Sequence, residues 1–308
     1  MTALLQPKVL LFFGWTASAL YVHFRCRVRY GFWRQLTNYS TLLAPYSALM
    51  YLFSRVPTRP VLDVGCMPEL AKLRENWQTI REEALRAYGT GDIAISSRHD
   101  DIGFNSFFKK GWKRFYLKWY GDPLPSAREV CPKTVELVQS IPSVNAAMFT
   151  LLAPGSKLPV HRDPFAGSLR YHLGLVTPNS DRCAIEIDGE PHTWRDGEDL
   201  LFDETYLHRA ANQTQTPRII LFCDIARPLH TPVVRALNRF VTKHLVKISA
   251  SRNRDTEQVG LLNRVSGGLF KVRELMKKLK RSHRKLYFTL AYGLKATALA
   301  GVLLLVFR

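Results

Sequence analysis

Apolar positions along this chain fall into three textures. Val9 to Phe24 (VLLFFGWTASALYVHF) and Leu286 to Phe307 (LYFTLAYGLKATALAGVLLLVF) are nearly continuous apolar runs. Between Pro68 and Tyr88 the apolar residues Leu70, Leu73, Trp77, Ile80 and Leu85 recur at helical spacing behind a proline, which predicts an amphipathic helix. From about Asn145 the pattern shortens. AAMFTLLAP, LRYHLGLVT, CAIEID, HTWRDGEDLLFD and RIILFCDIA are separated by Pro154-Gly155, Pro178-Asn179-Ser180-Asp181, Asp188-Gly189 and Asp196-Gly197. Short apolar segments with tight turns between them predict strands. Their repetition predicts a mainly β fold, a double-stranded β-helix or jelly roll flanked by helices, rather than a βαβ sheet. The expected organisation is an N-terminal segment over 1–60, a jelly-roll domain over 61–230 and a basic helical segment over 231–308.

The two apolar ends raise the question of a membrane. The first run approaches the roughly 20 residues of a spanning helix, and Arg25, Arg27, Arg29 and Arg34 follow it; the basic stretch Lys271 to Lys285 precedes the second. Both basic flanks face the middle of the chain, which predicts two transmembrane anchors with a cytoplasmic centre, by the positive-inside tendency. Positive charge after the first run, rather than before it, argues against a cleaved signal peptide. Lys295 strains the second span, because a charge at a helix centre costs about 2.5 to 3.5 kcal/mol on insertion scales. Tyr39 to Phe53, interrupted by Pro45, reads as an interfacial or re-entrant segment. Thr231 to Ile248 sets Val233, Val234, Leu237, Phe240, Val241 and Leu245 at helical spacing among Arg235, Arg239, Lys243 and Lys247, a basic amphipathic helix suited to headgroups. Ser249 to Gln258 has the composition of a linker.

Charge narrows the partners. The 44 Lys and Arg against 25 Asp and Glu leave a formal charge of +19, which favours nucleic acid, anionic lipid or a phosphorylated substrate. The charge clusters beside apolar termini, where anionic lipid of an inner membrane accounts for it, so no nucleic acid is expected. The five cysteines lie far apart without a C-x-x-C pair and read as free thiols of a reducing compartment.

The chemistry is concentrated in PVHRDPFAGSLRYHLGL. In a strand, residues i and i+2 share a face, so His161 and Asp163 can offer a nitrogen and an oxygen to one point. His208, after the acidic corner LLFDETYLHRA, can complete two histidines and one carboxylate. That set leaves open positions on an octahedral ion, as in non-haem Fe(II) oxygenases; zinc is the chemical competitor. Arg218, at the head of RIILFCDIA, offers a guanidinium for the distal carboxylate of a 2-oxoglutarate co-substrate. Phe104 to Tyr120 mixes lysines with aromatics and reads either as a clasp for sugar phosphates and acyl carbons or as a half-buried hairpin with a charged face. His99, Asp100 and Asp101 form a weaker polar cluster.

PELAKLRENWQTIREE, LLAPGSKLPVHRD, LRYHLGL, TWRDGEDLLFDETYLHRAAN and PRIILFCDIARPL, in this order, resemble the aspartyl/asparaginyl β-hydroxylase family of Fe(II)/2-oxoglutarate dioxygenases. The resemblance implies that His161 and His208 bind Fe(II), that Arg218 and His172 hold 2-oxoglutarate with help from Thr150, and that Arg170 faces the substrate. Animal peptide hydroxylases of the family have glycine where this chain has Asp163, so this chain can supply a third, carboxylate ligand. With apolar termini and a basic middle, the chain is similar to the bacterial branch that uses O2 to hydroxylate C2 of a secondary acyl chain of lipid A at the cytoplasmic face of the inner membrane. Hydroxylation of aspartyl or asparaginyl side chains is the alternative, and a non-enzymatic membrane-bound lipid-binding jelly roll a further one.

Overall fold

A computed structural model describes residues 6–95, 101 and 103–307 of the chain. Ten strands form two sheets: β1 (Val61–Leu62), β2 (Trp112–Trp119), β3 (Val144–Leu152), β4 (Lys157–His161), β5 (Ser168–Val176), β6 (Cys183–Ile187), β7 (Glu190–Thr193), β8 (Asp199–Phe202), β9 (His208–Asn212) and β10 (Arg218–Ala226). The larger sheet has the order β1-β8-β5-β10-β3-β2 and the smaller β4-β9-β6-β7, with every pairing antiparallel. From β3 to β10 the chain crosses from one sheet to the other at each step except the β6–β7 hairpin. That path is the double-stranded β-helix expected from the strand texture.

The period-two rule assigns each strand face. On β10, Ile220 and Phe222 point between the sheets, where they meet Trp112, Met148 and Ile185; Ile219, Leu221 and Cys223 point outward. The outward face is not solvated. Leu73, from the helix Ala71–Glu75, and Ile80 and Ala84, from the helix Trp77–Gly89, cover it together with Val135 and Val138 of Pro132–Gln139. A strand buried on both faces needs apolar residues at consecutive positions, which is why RIILFCDIA reads as a run rather than an alternation.

Several expected elements change in detail. The single helix over Pro68 to Tyr88 is a 3-10 turn, Pro68–Leu70, and two helices broken at Asn76. The Asn76 side chain donates to the Lys72 carbonyl, the acceptor its own amide would use in a continuous helix. Phe104 to Tyr120 is not a hairpin but one helical turn, Asn105–Phe108, followed by edge strand β2. The turn needs Gly111, whose φ is +76° and whose missing Cβ would lie 2.0 Å from Ser156 Oγ. All five cysteines are free. Asp101 is buried and pairs with Arg114 (3.0 Å); His99 and Asp100 lie outside the described residues.

The expectation of two transmembrane anchors is corrected. Among the described residues no helix is long and apolar enough to cross a membrane. The first apolar run forms an 18-residue helix, Pro7–Phe24, diluted by Gly14, Thr16, Ser18 and His23, and its Val22 packs with Ala44 and Met50. The second forms the helix Arg284–Phe307, in which the side chain of Lys295 lies outside the described residues. Tyr39 to Phe53 forms the helices Tyr39–Leu42 and Ala44–Leu52, with Pro45 in the first turn of the latter, where proline is tolerated.

The N-terminal segment is bolted to the jelly roll by charge. Asp203, just after β8, accepts from Arg25 (3.1 Å) and Arg227 (2.9 Å), and all of these side chains are buried. Arg25 also lies over the Tyr51 ring, 3.8 Å from its centroid. Burial alone would raise the Asp203 carboxyl, but Arg227 and Arg25 outweigh it and hold the pKa at about 2. Because this value is below that of the unfolded chain, the stabilisation is complete above about pH 4 and is lost as pH falls toward 2. Asp203→Asn leaves two buried guanidinium groups short of charge and should cost about 3 kcal/mol or more in a denaturant melt at neutral pH, with the deficit shrinking below pH 4.

Candidate metal centre and its pocket

β4 and β9 run antiparallel, and their register places His161 directly opposite His208. The two imidazole centroids are 4.2 Å apart. Asp163 follows β4 immediately, and its amide donates to the Glu204 carbonyl (2.8 Å), which turns the chain back toward His208. One ligand atom from each of His161, Asp163 and His208 lies within 4.8 Å of the others. This is a three-point donor set on one side of the smaller sheet.

Both imidazoles are oriented by backbone. Nδ1–H of His161 donates to the Pro159 carbonyl (2.8 Å), and Nδ1–H of His208 to that of Tyr206 (2.9 Å). Each bond selects the tautomer that leaves the Nε2 lone pair for a metal. Burial, assisted by His161, lowers the His208 pKa to about 3, so this ring is neutral at physiological pH, as a ligand must be. Burial would raise the Asp163 carboxyl, but Arg170 first, then His208 and His161, hold it below its ordinary value.

Arg170 organises the acidic side. Its Nη2 donates to Asp163 (2.8 Å) and to Glu204, while Nε pairs with Asp224 (2.8 Å) across the β5–β10 ladder. Ser168 donates to Glu204 (2.6 Å) and Tyr120 to Asp224 (2.8 Å). The residue expected on the substrate side thus lines the pocket with its guanidinium given to three carboxylates. Neither Glu204 nor Asp224 was singled out from sequence. Their only signal was acidic residues inside apolar segments, FDET and FCDIA, where an unpaired charge would be costly.

Next to the triad lies a small pocket lined by Thr150, His172, Trp194, Arg218 and Phe222. Arg218, at the start of β10, is 2% exposed and has no carboxylate partner among the described residues. Nη2 donates to Thr150 (3.3 Å), Nε has no partner, and the guanidinium carbon lies 4.4 Å from the Trp194 ring centroid. Burial lowers its pKa to about 10, which still leaves it cationic at neutral pH. Trp194 Nε1–H donates to Nδ1 of His172 (3.3 Å), so the remaining proton sits on Nε2, a buried donor without a partner. Burial, then Arg170 and Arg218, push the His172 pKa well down, so that ring is neutral. The pocket therefore holds an unpaired cation and an unused N–H donor beside the ligand triad. On the other side, Phe107 sits edge-on to His161, with centroids 4.8 Å apart.

The family model for aspartyl/asparaginyl beta-hydroxylase matches residues 74–228, which spans the helical cover, the triad, Thr150, His172 and Arg218. The chain belongs to the aspartyl/asparaginyl β-hydroxylase family. Ornithine lipid ester-linked acyl 2-hydroxylase of Rhizobium tropici is 32% identical over 68% of this chain and 74% of its own. Human aspartate beta-hydroxylase domain-containing protein 2 is 29% identical over 58% of this chain, which spans 50% of that protein. Human aspartyl/asparaginyl beta-hydroxylase is also 29% identical, over 54% of this chain and 22% of its own length. Among solved structures, a Pseudomonas putida prolyl-4-hydroxylase aligns with 50% of this chain and 87% of its own at 16% identity and a TM-score of 0.35. The fold assignment therefore rests on the strand order itself.

The donor set predicts a single divalent-metal site. Calorimetric titration with Fe(II) under anaerobic conditions, or with Mn(II), should give one site per chain. His208→Ala and Asp163→Ala should each weaken it by more than ~100-fold, beyond the 10 to 100-fold typical of residues that only orient a ligand.

Proposed function

We propose that this member of the hydroxylase family is an Fe(II)/2-oxoglutarate-dependent dioxygenase that hydroxylates C2 of an ester-linked acyl chain of a membrane lipid. The observation that carries the reading is the buried, unpaired Arg218 beside His172 and the triad. Hydrolysis at a zinc centre does not by itself require a cationic subsite beside the metal. A metal chelated by a dianionic co-substrate does, because the far carboxylate of 2-oxoglutarate can take a charge-assisted pair from Arg218 and a hydrogen bond from His172 Nε2–H. Thr150 fixes the guanidinium from the neighbouring strand.

The roles of the residues follow. His161, Asp163 and His208 would hold Fe(II). When bound, the iron supplies the O2 chemistry that couples decarboxylation of 2-oxoglutarate, to succinate and CO2, with insertion of the second oxygen atom into a C–H bond. No protein acid or base is required for that insertion. Arg218, His172 and Thr150 orient the co-substrate, Arg170 keeps Asp163 ionised and aimed, and Phe107 shields the triad from water.

The choice of lipid rests on chemistry shared with the Rhizobium relative, whose name specifies an ester-linked acyl chain and position 2. A secondary acyl chain of lipid A is ester-linked in the same way, and its phosphates suit a chain of formal charge +19. Lys109, Lys110 and Lys113, exposed around the aromatic turn at the pocket mouth, suit those phosphates. The basic character of both flanks favours the cytoplasmic face of the inner membrane as the site of action.

Mass spectrometry of lipids from cells expressing the intact protein should show one added oxygen on a lipid A acyl chain, absent with Asp163→Ala or His208→Ala. Addition to ornithine lipid instead would retain the acyl 2-hydroxylase and change the headgroup; no oxidised lipid from well-expressed protein would favour a peptide substrate. In a succinate-release assay, Arg218→Met should raise the KM for 2-oxoglutarate by roughly 10 to 100-fold, the loss of a charged hydrogen-bond pair of about 1.5 to 3 kcal/mol.

A further inference from the structure

One side of the molecule carries its polarity inside out. In the helical turns Phe32–Leu36 and Tyr39–Leu42, the polar Gln35, Ser40 and Thr41 are buried and bonded to one another, with Gln35 Nε2 donating to Ser40 (3.1 Å) and Thr41 (2.9 Å). The apolar Phe32, Trp33 and Leu42 face outward, Trp33 being 73% exposed. The helix Pro232–Val241 repeats the inversion. Asn238 is buried, accepts from the Tyr46 hydroxyl (2.7 Å) and donates to the Gly167 carbonyl (2.9 Å), while Val233, Leu237 and Phe240 form an exposed stripe, with Val233 78% exposed. A helix at a water-facing surface turns its apolar stripe to the core. Here the stripe has been left out in two separate stretches of sequence.

These stretches are joined through the helix Ala44–Leu52, which follows Tyr39–Leu42 directly and supplies the Tyr46 that meets Asn238. Their charge is of one sign. No Asp or Glu occurs between Phe24 and Leu62 or between Thr231 and Arg254, whereas Arg29, Arg34, Arg239, Lys243 and Lys247 are exposed there. The surface also adjoins the metal centre: Arg34 donates to the Val160 carbonyl (3.4 Å) and the Tyr39 hydroxyl to that of Arg162, the residues on either side of His161. Exposed aromatic and aliphatic side chains beside cations and without acids fit an interface of acyl chains and anionic headgroups.

We infer that this surface docks on an anionic bilayer, with Phe32, Trp33, Leu42, Val233, Leu237 and Phe240 lying among the acyl chains and the arginines and lysines among the headgroups. The protein lies on the membrane along this face, and an acyl chain passes from the bilayer to the pocket beside His161 without crossing water. The last step rests on the lipid hydroxylase reading; the docking does not.

The test uses the full chain and flotation with vesicles rich in phosphatidylglycerol, against vesicles of phosphatidylcholine alone. The protein should bind the anionic vesicles more tightly, and F32S/W33S and V233S/F240S should each weaken that binding by roughly tenfold or more with melting curves unchanged. Brominated acyl chains should quench the fluorescence of the wild type more than that of Trp33→Ser. In detergent-dispersed substrate both double variants should hydroxylate at the wild-type rate, and on vesicles they should fall with binding. Wild-type vesicle affinity in both double variants would overturn the docking surface. So would gel filtration showing that the substitutions only dissociate a dimer, which would make a second copy the occupant. Normal docking by a wild type that oxidises no lipid would uphold the surface and remove the lipid hydroxylase reading.

Discussion

A single guanidinium in the interior sets the terms for the rest of the site. Arg170 stands on the central strand of the larger sheet and meets Asp163 from the end of β4, Glu204 from the β8–β9 connection and Asp224 from the adjacent strand. Three carboxyl groups at one place repel one another when charged and resist burial; Arg170 holds the Asp163 pKa below its ordinary value, whereas burial leaves that of Asp224 raised despite the same cation. The arrangement couples the two sheets at the point where His161, Asp163 and His208 converge. Asp163 accepts the guanidinium through Oδ2, which leaves its other oxygen for a cation. A network of this kind gives geometric definition to the ligand set at the expense of a demanding charge balance.

The pocket shows the opposite economy. Arg218 and the Nε2–H of His172 are buried with bonding capacity unused, and a buried polar group without a partner costs free energy. The hydrophobic wall of Phe107, Phe202 and Phe222 around these polar points strengthens each interaction by excluding water.

The same tension between polar and apolar placement extends to the outside. Asn238, Gln35, Ser40 and Thr41 occupy interior positions that an ordinary surface helix would give to leucine or valine, and they are satisfied by one another and by backbone carbonyls. Their burial frees apolar side chains to face outward next to the site. Asp203, paired with Arg25 and Arg227, ties the N-terminal segment to the jelly roll.

What the sequence determined by itself is local and periodic. The five strand segments from Asn145 onward, the turns between them and the H-x-D spacing of His161 and Asp163 follow from alternation and turn chemistry, which are encoded within a few residues. The residue pattern also offered His208 and Arg218 as distant partners, and the resemblance added His172, Thr150 and Arg170, all as expectations. Only the tertiary structure decided the register that sets His161 opposite His208, because the short polar strands KLPVH and HRAAN carry no pattern of their own and are fixed by the sheet around them. It also decided the carboxylates around Arg170, since an acidic residue inside an apolar segment does not name the partner that meets it from another segment. The termini show the limit from the other side. Composition marked them as membrane-seeking, but whether an apolar residue faces a core, a partner helix or the outside depends on what packs against it. That is a property of the folded chain, and among the described residues it leaves no helix long and apolar enough to cross a membrane.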